Sequence, residues 1–505
     1  MNRFTIDHLI SKRASKRESS HFTSGPQETP PVGFKPHPDP LLLSYGAPNN
    51  GFFPIESSKV NLVDYPFQHQ DKLERDYFEE NTHSVNITRY TTNPDLIDLS
   101  TGLQYAAVEG HKPLLQFTKD FIKRTHNPNY NQWESILTTG ASDGLNKACD
   151  AILDVGDVIL IEEFTFTPFL RFVNNAGATP IPIPIDFSPE SNGINLNYLT
   201  EMLGNWSNKY PDLPKPKALY TIATGQNPTG LTQTFQFRKQ VYKLAELHDF
   251  IIIEDDPYGY LTLPRYGTTT TTTTTTAAAA AAAAAPKEVT VDEYLKSHLT
   301  PSFLEIDTRG RVIRVETFSK LFAPGLRLGF IIAHESIIKV IKNYSETVNR
   351  GASGLSQLVV NNVIHDKFGG VDGWIGWILK MRQTYSQRKD LLLKTIFESK
   401  AYQQGLVDVI DPQAGMFVTF KIKFLDGRNQ EEITTKMKQL LWKTISYGVR
   451  VVSGSNMSVD ANFSSERSNF FRLCYAPANN DKEIIESGKR LTNAVLEFYN
   501  NGEKY

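Results

Sequence analysis

Cysteine is nearly absent: the chain of 505 residues holds two, Cys149 and Cys474. Two thiols outside any CxxC make no disulfide framework and fit a reducing compartment. Long apolar runs are also missing, since none approaches the ~20 residues that span a bilayer. Nor is there a surplus of one charge. Lys and Arg number 53 and Asp and Glu 55, a net of −2, so neither nucleic acid nor a membrane is expected as a partner. The opening residues, MNRFTIDHLISKRASKRESS, lack the apolar centre of a secretory signal. They are basic and serine-bearing, but Asp7 and Glu18 argue against a mitochondrial transit peptide. The spacing of Ile6, Leu9, Ile10 and Arg13 predicts a short docked helix instead. The expected location is cytoplasmic, with mitochondria and nucleus left open by the basic start.

What the chain does hold is a large apolar fraction, 40%, enough for a sizeable core. Its length allows roughly two to four domains. Residues 19–40, rich in Ser, Pro and Gly, read as an extended connection. Thr268–Thr276 is all threonine and Ala277–Ala285 all alanine, a low-complexity insertion over 268–285 that supplies no chemistry. Between about 134 and 335, strands and helices alternate. SILTTG (135–140), DVILIEEF (157–164), ALYTI (218–222), FIIIEDD (250–256), RVIRVETFS (311–319) and LRLGFIIA (326–333) are near-continuous apolar runs. Such runs suit a sheet covered on both faces by helices, an α/β architecture. Leu145, Ala148, Cys149 and Ile152 share one helical face, and Val241, Leu244, Ala245 and Leu247 mark a crossover helix. The last third, with strands GMFVTFKI and NFFRLCYA among amphipathic helices, reads as α+β. The expected division is 1–75 as an N-terminal segment and part of the small domain, 76–370 as the large domain, and 371–505 as the C-terminal small domain.

Several residues stand out chemically. Lys320 ends an apolar strand, where desolvation or nearby positive charge would leave its amine neutral and able to attack a carbonyl. Taken alone it reads equally as a loop lysine. Arg327 offers a planar fork suited to phosphate, with Thr317 and Ser319 adding hydroxyls; a plain salt bridge is the alternative. In TTGASDGL, Gly140, Ala141 and Ser142 sit at a strand-to-helix junction, either an anion site or a simple Ser cap. No GK[ST] follows at Walker A spacing. IIIEDDPYGY ends a strand in three acids, with Asp255 suited to a protonated ring nitrogen and Tyr258 to the same ligand. A solvated acidic cluster is the other reading. Asn227, held extended before Pro228, presents its amide rigidly. Phe166 is a flat aromatic after a strand end, and Arg472 is a charge within an apolar strand that needs an anionic partner, internal or bound.

In this order the motifs resemble those of the fold-type I, class I aminotransferases, which use pyridoxal 5′-phosphate (PLP). The closest resemblance is to the branch of fungal aromatic amino acid aminotransferases and kynurenine/2-aminoadipate aminotransferases. It covers roughly residues 40–500 apart from the Thr/Ala tract. It implies a large domain with a mainly parallel seven-stranded sheet between helices, and a smaller α+β domain. Residue by residue it implies Lys320 as the Schiff-base lysine and Asp255 as partner of the pyridine nitrogen. Tyr258 and Asn227 would bond the cofactor's phenolic oxygen. Ala141, Ser142, Thr317, Ser319 and Arg327 would form the phosphate cradle, with Thr317 where serine is common. Phe166 would lie on the ring, where tyrosine is frequent. Arg472 and Asn227 would grip the substrate carboxylate, with Gly46 of LLLSYGAPNNGFFP nearby. Tyr105 would reach the phosphate of a neighbouring subunit, which implies a homodimer. No metal is implied.

The function so implied is transfer of an amino group from an aromatic amino acid to a 2-oxo acid, 2-oxoglutarate being the expected acceptor. A 2-aminoadipate or kynurenine donor is the alternative. A PLP lyase or decarboxylase is a third reading. A transcription regulator with an aminotransferase-like domain is a fourth, against which stands the lack of a helix-turn-helix pattern ahead of Leu41.

Overall fold

A computed structural model describes the chain except for residues 1–4, 20–28, 40, 42, 44–45, 68–82, 189–190, 269–288 and 425–429. Residues 269–285 of the Thr/Ala tract therefore lie outside the described residues.

After a short helix α1 (Lys12–Ser15), strands β1 (Ser57–Leu62) and β2 (His83–Thr88) pair antiparallel as a two-stranded ribbon. Then comes the main sheet: β3 (Trp133–Thr138), β4 (Val158–Glu162), β5 (Thr179–Ile183), β6 (Ala218–Thr221), β7 (Ile251–Asp255), β8 (Val312–Thr317) and β9 (Gly329–His334). These seven lie in the order β3-β9-β8-β7-β6-β4-β5. Only β9 runs against its neighbours, being antiparallel to both β3 and β8. Every residue of β4, β6, β7, β8 and β9 is buried. The physical reason is two-sided cover. Ile159, Ile161, Tyr220, Ile253, Ile313 and Ile331 join one apolar cluster, and Leu160, Leu219, Ile252, Val312 and Ile332 join another. Helix α2 (Lys112–His126) and α4 (Phe235–His248) contribute to the second cluster; α3 (Ala141–Ile152) and α5 (Glu335–Val348) contribute to the first.

The seven-stranded expectation holds, with local differences. The edge strand β5, carrying Pro180 and Pro182, is not among the six runs read from the sequence. Proline removes ladder donors, which is tolerated at an edge. The run LRLGFIIA becomes strand only at Gly329, because Pro324–Leu326 forms a 3-10 turn and Arg327 sits at φ 50°. Of the residues that mark the crossover helix, Leu247 is 74% exposed, since it falls away from Val241 and Ala245 on the helical wheel.

Residues 6–14 dock on helix α3 of the main sheet's cover. Ile6, Leu9, Ile10 and Ala14 are buried in the cluster that includes α3, and Ser11 N–H donates to Ala151 O at 2.8 Å. The docked piece is a 3-10 turn (Asp7–Leu9) followed by α1, not one continuous helix. Arg13 points outward from the apolar contact and pairs, with Arg17, to Asp150.

The C-terminal part forms a four-stranded antiparallel sheet ordered β10-β11-β13-β12: β10 (Val407–Ile410), β11 (Phe417–Ile422), β12 (Val452–Ser453) and β13 (Phe470–Cys474). The helices here are α6 (Val371–Phe397), α7 (Gln430–Ser446) and α8 (Asp481–Asn500). Leu392 of α6, Val418 and Phe420 of β11, and Leu491 and Val495 of α8 share the cluster that contains Ile253 and Val315. One apolar core thus runs from the main sheet into the smaller one.

Candidate functional site

The chemistry-bearing residues gather at the carboxyl ends of β6, β7 and β8, where ligands bind in open α/β sheets. Strand alternation decides which acids of IIIEDD face the site. Asp255 lies on the same face as Ile251 and Ile253. Glu254 and Asp256 are buried on the other side with Arg238 and Arg314, so the solvated-cluster reading does not hold. Glu254 Oε1 lies 3.2 Å from Arg238 and 3.1 Å from Arg314, while Asp256 pairs with Arg314.

Asp255 is 3% exposed. Its Oδ2 accepts from the Tyr220 hydroxyl at 2.7 Å, and its Oδ1 is buried with no hydrogen-bond partner. Burial pushes its pKa up to about 7, against the Tyr220 hydrogen bond, which lowers it. A cation or protonated ring nitrogen at Oδ1 would satisfy both the bare oxygen and the charge.

Arg472 reaches the same region from β13 in the other sheet. Its Nη1 donates to Asn227 Oδ1 at 2.8 Å, and its guanidinium carbon lies 4.4 Å from the centre of the Phe417 ring. Nε is buried and unpaired. No carboxylate of the chain pairs with Arg472 among the described residues, so the internal-acid reading of this charge fails. Burial lowers its pKa. The buried Tyr258 packs edge-on against Phe417 at 5.6 Å between ring centres, and its phenol pKa is raised by burial. Two positions past Arg472, β13 ends at Cys474. Burial raises the Cys474 pKa, and the positive charges of Arg472 and Lys320 oppose that rise. The Cys474 thiol is free and exposed. Lys320 is half-buried in the turn after β8, and its amine enters no hydrogen bond or salt bridge among the described residues.

A few residues away is an anion cradle. Helix α3 starts at Gly140 with φ 80°, and no side chain caps it. The N–H groups of Ala141 and Ser142 are thereby left for a ligand. A Cβ at Gly140 would sit 2.6 Å from Arg327 Nη2, so only glycine lets the guanidinium lie against the helix start. Among the described residues Arg327 donates only to backbone carbonyls, Pro324 O at 3.1 Å and Thr139 O at 3.5 Å, and makes no salt bridge. Thr317 Oγ1 donates to Ser319 Oγ at 2.9 Å, so both hydroxyls stand at the end of β8. Ser142 and Arg327 are exposed in the single chain.

Three other expected residues are less tied in. Phe166 is half-buried against the core cluster on the Asp255 face. Tyr105 is 62% exposed. Gly46 is exposed, with open space around its α-carbon, and the structure does not bring it onto Arg472. Conversely, the sequence reading passed over Tyr220, Phe417 and Glu162. A tyrosine in a fully buried strand needs a hydroxyl partner, and that signal could have flagged Tyr220. Glu162, fully buried without a cation, accepts from Thr221 Oγ1 at 2.9 Å, Ile222 N at 3.2 Å and Gln226 Nε2 at 3.1 Å. It thereby anchors the loop that presents Asn227.

The bare Asp255 Oδ1, the unpaired Arg472 Nε and the uncapped, glycine-opened start of α3 are the fittings for an aromatic nitrogen, a carboxylate and a phosphate.

Comparison with known proteins gives the family. The family model described as aminotransferase class I and II matches residues 77–487. Aromatic amino acid aminotransferase 2 of Saccharomyces cerevisiae is 38% identical over 483 residues, covering 92% of this chain and 91% of that protein. The kynurenine/alpha-aminoadipate aminotransferase, mitochondrial, of Mus musculus is 30% identical, covering 87% of this chain and 88% of that protein. The crystal structure of the aromatic aminotransferase Aro9 from C. albicans superposes with a TM-score of 0.90 at 62% identity, covering 99% of both chains.

Proposed function

The chain belongs to the class I and II aminotransferases, and from that premise we propose that it moves the amino group of an aromatic amino acid to a 2-oxo acid with PLP as cofactor. The observation that carries this reading is the Arg472–Asn227 pair, a carboxylate grip that no internal carboxylate fills among the described residues. The names of the yeast relative and of the C. albicans structure support the aromatic donor. The mouse relative supports kynurenine or 2-aminoadipate as a second donor class.

PLP, when bound, supplies the carbonyl that receives the amino group and the ring that accepts the electron pair released at the substrate's α-carbon. The protein supplies position and charge. Ala141, Ser142, Thr317, Ser319 and Arg327 hold the phosphate, and Phe166 bounds the ring. Asp255, through its bare Oδ1, would hold a protonated ring nitrogen. Tyr258 and Asn227 hold the phenolic oxygen. Arg472 binds the α-carboxylate by two parallel N–H groups. Lys320 Nζ would hold the cofactor between turnovers and, when freed, would take up the proton of the substrate's α-carbon as general base and give it back as general acid. An arginine could not do this, because its guanidinium stays charged.

2-Oxoglutarate is the acceptor in this reading. The active form is a homodimer, in which the exposed Tyr105 of one subunit reaches the phosphate held by the other. The compartment is the cytoplasm. A panel of amino donors against 2-oxoglutarate tests the proposal. Phe, Tyr and Trp are expected to give the highest kcat/KM, with one keto acid per glutamate and no carbon dioxide or ammonia. Clear preference for an aliphatic or acidic donor would overturn the aromatic assignment.

A further inference from the structure

The Asp255 carboxylate is unevenly satisfied. One oxygen takes a hydrogen bond and the other, equally buried, takes none. A carboxylate buried for structure alone would satisfy both, because a bare buried acceptor is costly. The donor on the satisfied side is Tyr220 of β6, next to β7 in the sheet and in parallel register, Tyr220 opposite Ile253. Both side chains rise from the same face. Tyr220 is fully buried, and its ring stacks on Phe169 at 3.6 Å between centres with planes 9° apart. The phenol therefore cannot swing away, and its hydroxyl has one acceptor, Asp255 Oδ2.

We propose that Tyr220 is a positioning residue for the cofactor: by holding Oδ2 it fixes the carboxylate's rotation, aims Oδ1 at the ring nitrogen, and keeps the group ionised. This rests on the PLP reading above. The charges around Asp255 make the second part necessary. Asp256 adjoins it and Glu162 lies near Tyr220, both acidic, while the neighbouring Tyr258 phenol is neutral. Tyr220 is the one hydrogen-bond donor to the carboxylate among the described residues. Its hydrogen bond favours ionisation, against the rise that burial causes.

The test uses the full chain freed of cofactor and titrated, by protein fluorescence, with PLP and with 1-deazapyridoxal 5′-phosphate, whose ring carries C–H in place of nitrogen. Tyr220→Phe keeps the stacked ring and removes only the hydroxyl. It is expected to weaken PLP roughly tenfold, the scale of one hydrogen bond to a charged group, and to leave the deaza analogue unchanged. In turnover, kcat is expected to fall while KM for the donor holds, because Arg472 and Asn227 are untouched. Equal weakening of both ligands would reduce Tyr220 to a structural role, and unchanged PLP affinity would remove any role; either overturns the proposal. Should the variant fail to fold, Phe169→Leu, which loosens the stack and keeps the phenol, is put through the same comparison, with PLP again expected to suffer more than the analogue. Wild-type protein that binds neither ligand would instead bring down the cofactor reading itself.

Discussion

Arg472 and Asn227 lie 245 residues apart in sequence and meet at 2.8 Å, joining the small antiparallel sheet to a loop of the large one. The bond fixes one edge of the guanidinium and leaves Nε unpaired. If the pair binds the substrate carboxylate as proposed, its loss should show in both half-reactions. Arg472→Lys is expected to raise KM for the amino acid and for the 2-oxo acid alike, by roughly tenfold or more, since a point charge cannot replace a bidentate fork. Steady-state kinetics with each substrate varied in turn checks this.

Lys320 makes no hydrogen bond or salt bridge among the described residues, so the fold does not depend on its charge. Lys320→Ala is expected to lower turnover by at least roughly a thousandfold, the scale of a lost general base. The apo protein should melt within a few degrees of wild type. Retained transamination in single-turnover assays would refute the role given to this amine.

Gly140 combines φ 80° with the Arg327 guanidinium 2.6 Å from where a Cβ would stand. Gly140→Ala is expected to cost about 1 kcal/mol of stability from the backbone alone. It should also displace Arg327 and weaken PLP, with pyridoxal lacking the phosphate affected less. Parallel titrations of the two compounds measure the difference.

Glu162 carries a stability signature in pH. Burial raises its pKa to about 7, above the ordinary carboxylate range. In the unfolded chain the group ionises at lower pH, so between the two values the folded state holds the extra proton. Stability from this group therefore falls as pH rises from about 4.5 to 7 and is flat above that. Glu162→Gln removes the titration. The stability of the variant relative to wild type is expected to improve by about 1–3 kcal/mol across that window. Denaturant titrations of the apo proteins at pH 5 and pH 8 test the sign; a constant difference would refute it.

Much of this was legible in the chain alone. Apolar runs ending in Glu254–Asp256 and Thr317 marked strands buried on both faces, because a sheet covered by helices leaves no polar side to alternate with. Lys320 and Arg472 were conspicuous because a charge in an apolar run needs an explanation, and the order of motifs carried the family. Local preference also set the glycine turn at Gly140. Tertiary structure alone decided the partners. Periodicity says that Asp255 faces one side of a sheet, but strand order and register put Tyr220 on the adjacent strand to meet it. The same holds for Arg472 with Asn227, for the proline-bearing edge strand, and for the first residues docking on α3. Burial can be read from a local pattern, whereas the identity of a contact depends on how distant segments are brought together.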